Sequence, residues 1–116
     1  MKFYVLPWKG GESVVHEAAV GYLKIFFKSL GFKCRVGGRG EPDLIVEDRV
    51  AVEVETGGSI SVSEVVKYGE KYERVFVVAA TEEAYLACLS KLGTEVYSIN
   101  SLGELVKEIK GVLGVN

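Results

Sequence analysis

Polar and apolar positions change period several times along the chain, and each change marks an element. From about Glu12 to Leu30 apolar residues recur every three or four positions. That spacing predicts an amphipathic helix with Val15, Ala19, Leu23, Phe26, Phe27 and Leu30 on one face and Glu17, Lys24 and Lys28 on the other. Gly31 stands where a left-handed C-terminal cap is expected. Ahead of the helix, KFYVL reads as a short strand closed by Pro7. After it, FKCRV, DLIVE and RVAVEVE alternate with period two and read as strands, the last two joined by a turn at Glu47 to Arg49.

Ser61 and Glu64 form a capping box that opens a helix running to about Glu73. Val75 to Ala80, VFVVAA, is continuously apolar, the pattern of a central strand covered on both faces. Thr81 opens a helix ending near Gly93, TEVYSI gives a further strand, and Ser101 with Glu104 caps a last helix. The order (β)αβββαβαβα predicts an α/β fold: a mixed sheet flanked by helices, its later strands parallel through helical crossovers. With 116 residues, 48% hydrophobic and 26% charged, and no repeat or linker, residues 1–116 read as one domain.

Two features break the pattern. Glu12 and His16 fall on the apolar face of the first helix, where only hydrophobes are expected. The stretch EPDLIVEDRVAVEVETG threads carboxylates through two core-like strands. In the second strand Val50, Val52 and Val54 share one face and Ala51, Glu53 and Glu55 the other. A three-residue loop pairs Val46 with Val50 and Leu44 with Val52, and so sets Asp43 opposite Glu53; a two-residue loop would set Asp43 across from a valine. Three carboxylates at cross-strand distance repel and are costly to bury without a partner. A hard divalent cation, Mg²⁺ or Mn²⁺, compensates them best and suits phosphodiester hydrolysis. A solvated, salt-bridged strand face is the competing reading.

The formal charge of −2 argues against a protein coated in basic residues, so any nucleic-acid contact requires a local patch. Lys33, Arg35 and Arg39 precede the hairpin and form that patch, with GGRG as a loop at its rim. His16, one turn after Glu12, is placed to contact a phosphate or a metal-held water, or to sit as a satisfied core histidine. Trp8 and Tyr4 suit base stacking, core packing or a subunit contact. The loop fits neither a Walker pattern nor GxGxxG, which disfavours a nucleotide-binding enzyme. Cys34 and Cys88 lack the spacing of a zinc site and read as buried free thiols, a single bridge being the alternative. No apolar run approaches the roughly 18 residues of a membrane span, and the N-terminal stretch lacks signal-peptide features, so a soluble, cytoplasmic protein is expected. Glutamine is absent and asparagine occurs only at Asn100 and Asn116, a bias expected of a thermophilic source.

Pro42 and Asp43, a turn, then Glu53 and Glu55 spaced as ExE, all after a helix with an inward glutamate, resemble the PD-(D/E)xK, restriction-endonuclease-like nuclease superfamily. The compact length resembles its archaeal Holliday-junction resolvase branch. The resemblance covers the first helix through VFVVAA. It implies Asp43 and Glu53 as metal ligands, with Glu12 supporting the metal directly or through water. Glu55 stands where the family usually has its water-activating lysine, although some restriction endonucleases of the superfamily carry glutamate there. Lys67, on the next helix, is the candidate for a migrated lysine, although the helical wheel places it away from Val62, Val65 and Val66.

The function expected is that of a Mg²⁺-dependent DNA endonuclease, structure-specific in the manner of junction resolvases, with RNA left open as substrate. The alternatives are a catalytically silent nucleic-acid-binding or assembly subunit of the same fold, and a small interaction module with acidic strands. A protein this small and acidic is expected to act as a homodimer or with a larger partner.

Overall fold

The computed structural model describes residues 14–57, 60–93 and 96–115. The expected strand KFYVL, and with it Tyr4, Trp8 and Glu12, lies outside the described residues. The element order is α1 (Val14–Ser29), β1 (Cys34–Val36), β2 (Leu44–Val46), β3 (Val50–Glu55), α2 (Val62–Lys71), β4 (Arg74–Ala79), α3 (Glu82–Leu92), β5 (Val96–Ser98) and α4 (Gly103–Leu113). The five strands form one mixed sheet in the order β1-β2-β3-β4-β5. The first three are antiparallel; β4 and β5 run parallel to β3, reached through the α2 and α3 crossovers. This is the mixed α/β architecture that the alternation of period predicts.

Alternation along the strands divides the core between two faces. Val50, Val52, Val54, Phe76 and Val78 pack with Leu23 and Phe27 of α1 and Leu105 and Ile109 of α4. On the other face Val77 and Ala79 pack with Ile60, Ala84, Cys88 and Val96, under α2 and α3. Cys34 belongs to the first cluster and Cys88 to the second, so the sheet separates them and both are free thiols. The single-bridge alternative therefore falls away. Burial raises both thiol pKa values, which keeps them protonated and inert.

Several local expectations are corrected. Val15 and Leu30 are exposed rather than buried, and Val20 takes a core position, because α1 lies on the sheet along Ala19, Val20, Leu23 and Phe27. Likewise Val62 and Val66 of α2 are exposed, and Tyr68 is its buried residue. Helix α2 stops at Lys71, since Tyr72 turns extended and Glu73 N–H donates to Arg49 O, aligning the chain for β4. At α4 the N-cap is Leu102 and not Ser101, with no side-chain cap; burial of Leu102 against the core sets that helix start instead. Ser61 and Thr81 do cap as read, accepting from Glu64 N–H and Ala84 N–H.

The hairpin joining β2 and β3 has the three-residue loop, with Val46 opposite Val50 and Leu44 opposite Val52. Glu47 and Asp48 both hold positive φ, at 53° and 58°. The surroundings over-determine this: Glu47 N–H donates to Lys33 O at 2.8 Å, and the Glu47 carboxylate accepts from Lys33 N–H at 2.6 Å.

Candidate functional site

The register brings the acidic residues together at one end of the sheet, where β2 begins and β3 ends. Asp43 N–H donates to Glu53 Oε1 at 2.9 Å, and Val54 N–H donates to Asp43 Oδ2 at 2.8 Å. His16, on the first turn of α1, sets its Nε2 3.2 Å from Asp43 Oδ2. Helix α1 and the neighbouring strands β2 and β3 thus converge on two carboxylates. Glu53 and Glu55 share the face that carries Val77 and Ala79 on the neighbouring strand, the placement that alternation predicts.

A built loop delivers Asp43. Glu41 N–H donates to Gly38 O, and the Glu41 carboxylate accepts from Gly38 N–H while taking both terminal nitrogens of Arg35, at 3.1 and 2.9 Å. Gly37 N–H donates to Asp43 O at 3.0 Å. The chain passes so close here that a Cβ on Gly37 would lie 1.7 Å from Pro42 O. Only glycine fits.

Electrostatics single out Glu53. It is 8% exposed, and burial first, then the Asp43 carboxylate, push its pKa up to about 8. Burial and Asp43 also raise Glu55, with His16 acting against them. Tyr68 of α2 is buried and shifted up to about 12, first by burial and then by Glu53 and Glu64. The site is an end of the sheet with excess negative potential, where a neutral carboxyl or an added cation is favoured.

Tyr68 and Glu64 are the site neighbours that the sequence pattern did not single out. Their signal was available in the i, i+4 relation of Glu64 and Tyr68 on one helix, but only the packing of α2 against β4 brings them close enough to Glu53 to interact with it. Lys67, by contrast, is exposed, its amine 5.9 Å from the Tyr68 ring centroid. The basic patch is partly neutralised within the chain. Arg35 is held by Glu41 and lies 3.8 Å from Asp48, whereas Lys33 and Arg39 are exposed.

Both well-placed carboxylates carry hard oxygen donors, the chemistry a Mg²⁺- or Mn²⁺-type ion requires. Among the described residues no group of three His, Cys, Asp or Glu side chains is placed to hold a metal ion. Asp43 and Glu53 therefore offer a two-carboxylate half-site, the arrangement that suits an ion completing its shell with water and phosphate. No protein-family model matches the sequence, and no curated protein matches it. Fold and site define the chain as a mixed-sheet α/β protein with a carboxylate pair at the end of its hairpin. Among the described residues, no helix is long and apolar enough to cross a membrane.

Proposed function

We propose that the protein is a divalent-metal-dependent endonuclease of the restriction-endonuclease-like kind, hydrolysing nucleic-acid phosphodiester bonds. One observation carries the reading: Asp43 and Glu53 sit side by side at a strand end, with Glu53 buried and its pKa lifted to about 8 by burial and by its neighbour. Ionising Glu53 beside Asp43 is unfavourable in the resting fold, and a bound cation relieves that cost. Asp43 and Glu53 would hold the ion, which when bound supplies electrostatic stabilisation of a phosphodiester. Glu55, adjacent on the same face, is the group that orients water or accepts its proton, a role its raised pKa suits. His16, with its Nε2 3.2 Å from Asp43 Oδ2, holds Asp43 in orientation. Lys33 and Arg39 are the exposed cations for a DNA backbone.

A second reading, a silent nucleic-acid-binding or assembly subunit, is favoured by one specific observation. Glu55 occupies the position of the family lysine, and Lys67 is exposed beside the Tyr68 ring. Calorimetric titration with Mg²⁺ and Mn²⁺, together with cleavage of duplex, single-stranded and four-way-junction DNA, separates the two. Cleavage lost in folded Asp43→Asn and Glu53→Gln supports the nuclease; metal binding without cleavage supports the silent subunit. Absence of metal binding overturns both.

A further inference from the structure

The sheet carries a cleft at the same end, and on the same face, as the acidic residues of β3. Strands β3, β4 and β5 run parallel, and Glu55, Ala79 and Ser98 lie level across them, so their side chains share one face. Beyond that level the connections part. After β4 the chain turns to α3, whose Ala84 and Cys88 pack on this face; after β5 it turns to α4, whose Leu105 and Ile109 pack on the opposite one. Neighbouring parallel strands whose connections leave towards opposite faces open a crevice at their carboxyl ends, which is where open α/β sheets hold ligands. Here a cavity of about 350 Å³ lies between the two connections, lined by Ala80, Thr81, Glu82 and Tyr85 from one and by Ser98 and Asn100 from the other. Two hydrogen bonds tie its wall to the end of β3: Ala80 N–H donates to Glu55 O at 2.8 Å, and Thr81 Oγ1 donates to Thr56 O at 3.0 Å.

We propose that this cleft binds one unpaired nucleoside of the nucleic acid whose phosphate lies at Asp43 and Glu53. The lining selects that class. Among the described residues that line the cleft there is no cation, and Glu82 places a carboxylate there, which disfavours a phosphate group. The remaining groups suit a neutral, planar, hydrogen-bonding ligand. The Asn100 amide offers donors and an acceptor, Glu82 accepts from base N–H groups or sugar hydroxyls, and Tyr85, partly buried against the Ala84 and Cys88 cluster, presents a fixed aromatic ring. Ser98 Oγ accepts from Asn100 N–H at 3.2 Å, which positions the turn carrying Asn100 and leaves the hydroxyl proton of Ser98 to donate. Spacing agrees as well. Ser98 lies two strands from Glu55, about 10 Å at the usual strand separation. At roughly 3.4 Å or more per nucleotide, the bound nucleoside falls within a few nucleotides of the scissile phosphate. A duplex keeps its bases stacked and paired, and filling the cleft from one requires flipping a base out, so unpaired segments are favoured. Nucleic acid as the source of the nucleoside rests on the nuclease reading; the capacity of the cleft for a nucleoside does not.

The test is titration of the isotope-labelled full chain, without metal, with each of the common deoxynucleosides, followed through backbone amide chemical shifts. Saturable shifts are expected at residues 80–82, 85 and 98–100. Asn100→Ala and Glu82→Ala should each weaken binding by at least about threefold. Their thermal melts should stay close to that of the native chain, since both side chains are exposed. Inorganic phosphate and glucose, titrated alongside, are expected to leave these residues unmoved. No saturable shift with any nucleoside up to its solubility limit overturns the proposal, whatever the metal and cleavage assays show. Phosphate or glucose moving the same residues as strongly, or nucleoside binding indifferent to both substitutions, overturns it as well. Nucleoside binding at the cleft of a chain that takes up neither Mg²⁺ nor Mn²⁺ supports the nucleoside site and overturns only the nuclease reading.

Discussion

Asp43 and Glu53 each close the backbone of the other's strand: the Glu53 carboxylate accepts from Asp43 N–H, and the Asp43 carboxylate accepts from Val54 N–H. Beyond Leu44 the ladder between β2 and β3 is therefore continued by side chains. The two carboxylates hold the hairpin's open end together and at the same time repel, which makes the site sensitive to anything that neutralises one of them.

Glu53 gives this a pH signature. Its folded pKa, about 8, lies above the ordinary 4.5, so the native state keeps a proton that the unfolded state releases. Stability is fully present below about 4.5 and falls as pH rises through about 8. Without divalent ions, Glu53→Gln, which still accepts from Asp43 N–H, is expected to exceed the native chain at pH 9 by on the order of 2 kcal/mol. Urea unfolding across pH checks this, the two chains converging towards acid pH.

Metal should act on the same balance from the other side. A cation favours the ionised carboxylates, so millimolar Mn²⁺ is expected to raise the native melting temperature more at pH 8 than at pH 6, and to leave Asp43→Asn and Glu53→Gln nearly unmoved. Scanning calorimetry with and without ion reads the difference.

Asp43→Ala removes the acceptor of a part-buried N–H as well as the partner of His16. A loss of about 1–3 kcal/mol is expected, with Asp43→Asn milder because its amide oxygen still accepts from Val54 N–H. Hydrogen exchange at Val54 should accelerate selectively in the alanine variant.

The loop before Asp43 has no room for a side chain at Gly37. Gly37→Ala sets a methyl against Pro42 O, a backbone atom that cannot swing away, and is expected to cost about 2–4 kcal/mol or displace Asp43. Chemical unfolding measures the first outcome; loss of the Mn²⁺ response measures the second.

Glu41 anchors the same loop, and its pKa is drawn down to about 2, first by the Arg35 hydrogen bonds and then by Gly38 N–H. Its contribution is present above 4.5 and lost as pH falls through about 2. Glu41→Gln should thus be less stable than the native chain at neutral pH and converge with it in strong acid, a comparison that acid titration followed by circular dichroism makes directly.

The sequence by itself determined the order of elements, the mixed sheet, the hairpin register and the shared face of Glu53 and Glu55. All of these follow from local periodicity: a side-chain period of two fixes which residues face together, and loop length fixes what lies opposite. It singled out His16 as a polar residue on an apolar helix face, to contact a phosphate or a metal-held water or to sit as a satisfied core histidine; its approach to Asp43 came only with packing. Only the tertiary structure decided how far each face is covered. Val15, Leu30, Val62 and Val66 match an apolar pattern yet stay exposed, while Leu102 opens its helix by burial and Tyr68 comes over the carboxylates. Helical spacing specifies a stripe about a hundred degrees wide, but the angle at which the helix meets the sheet selects the part of it that is buried. The pairing of Arg35 with Glu41 and the upward shift of Glu53 arise in the same way, from distances that exist only after the strands and helices pack.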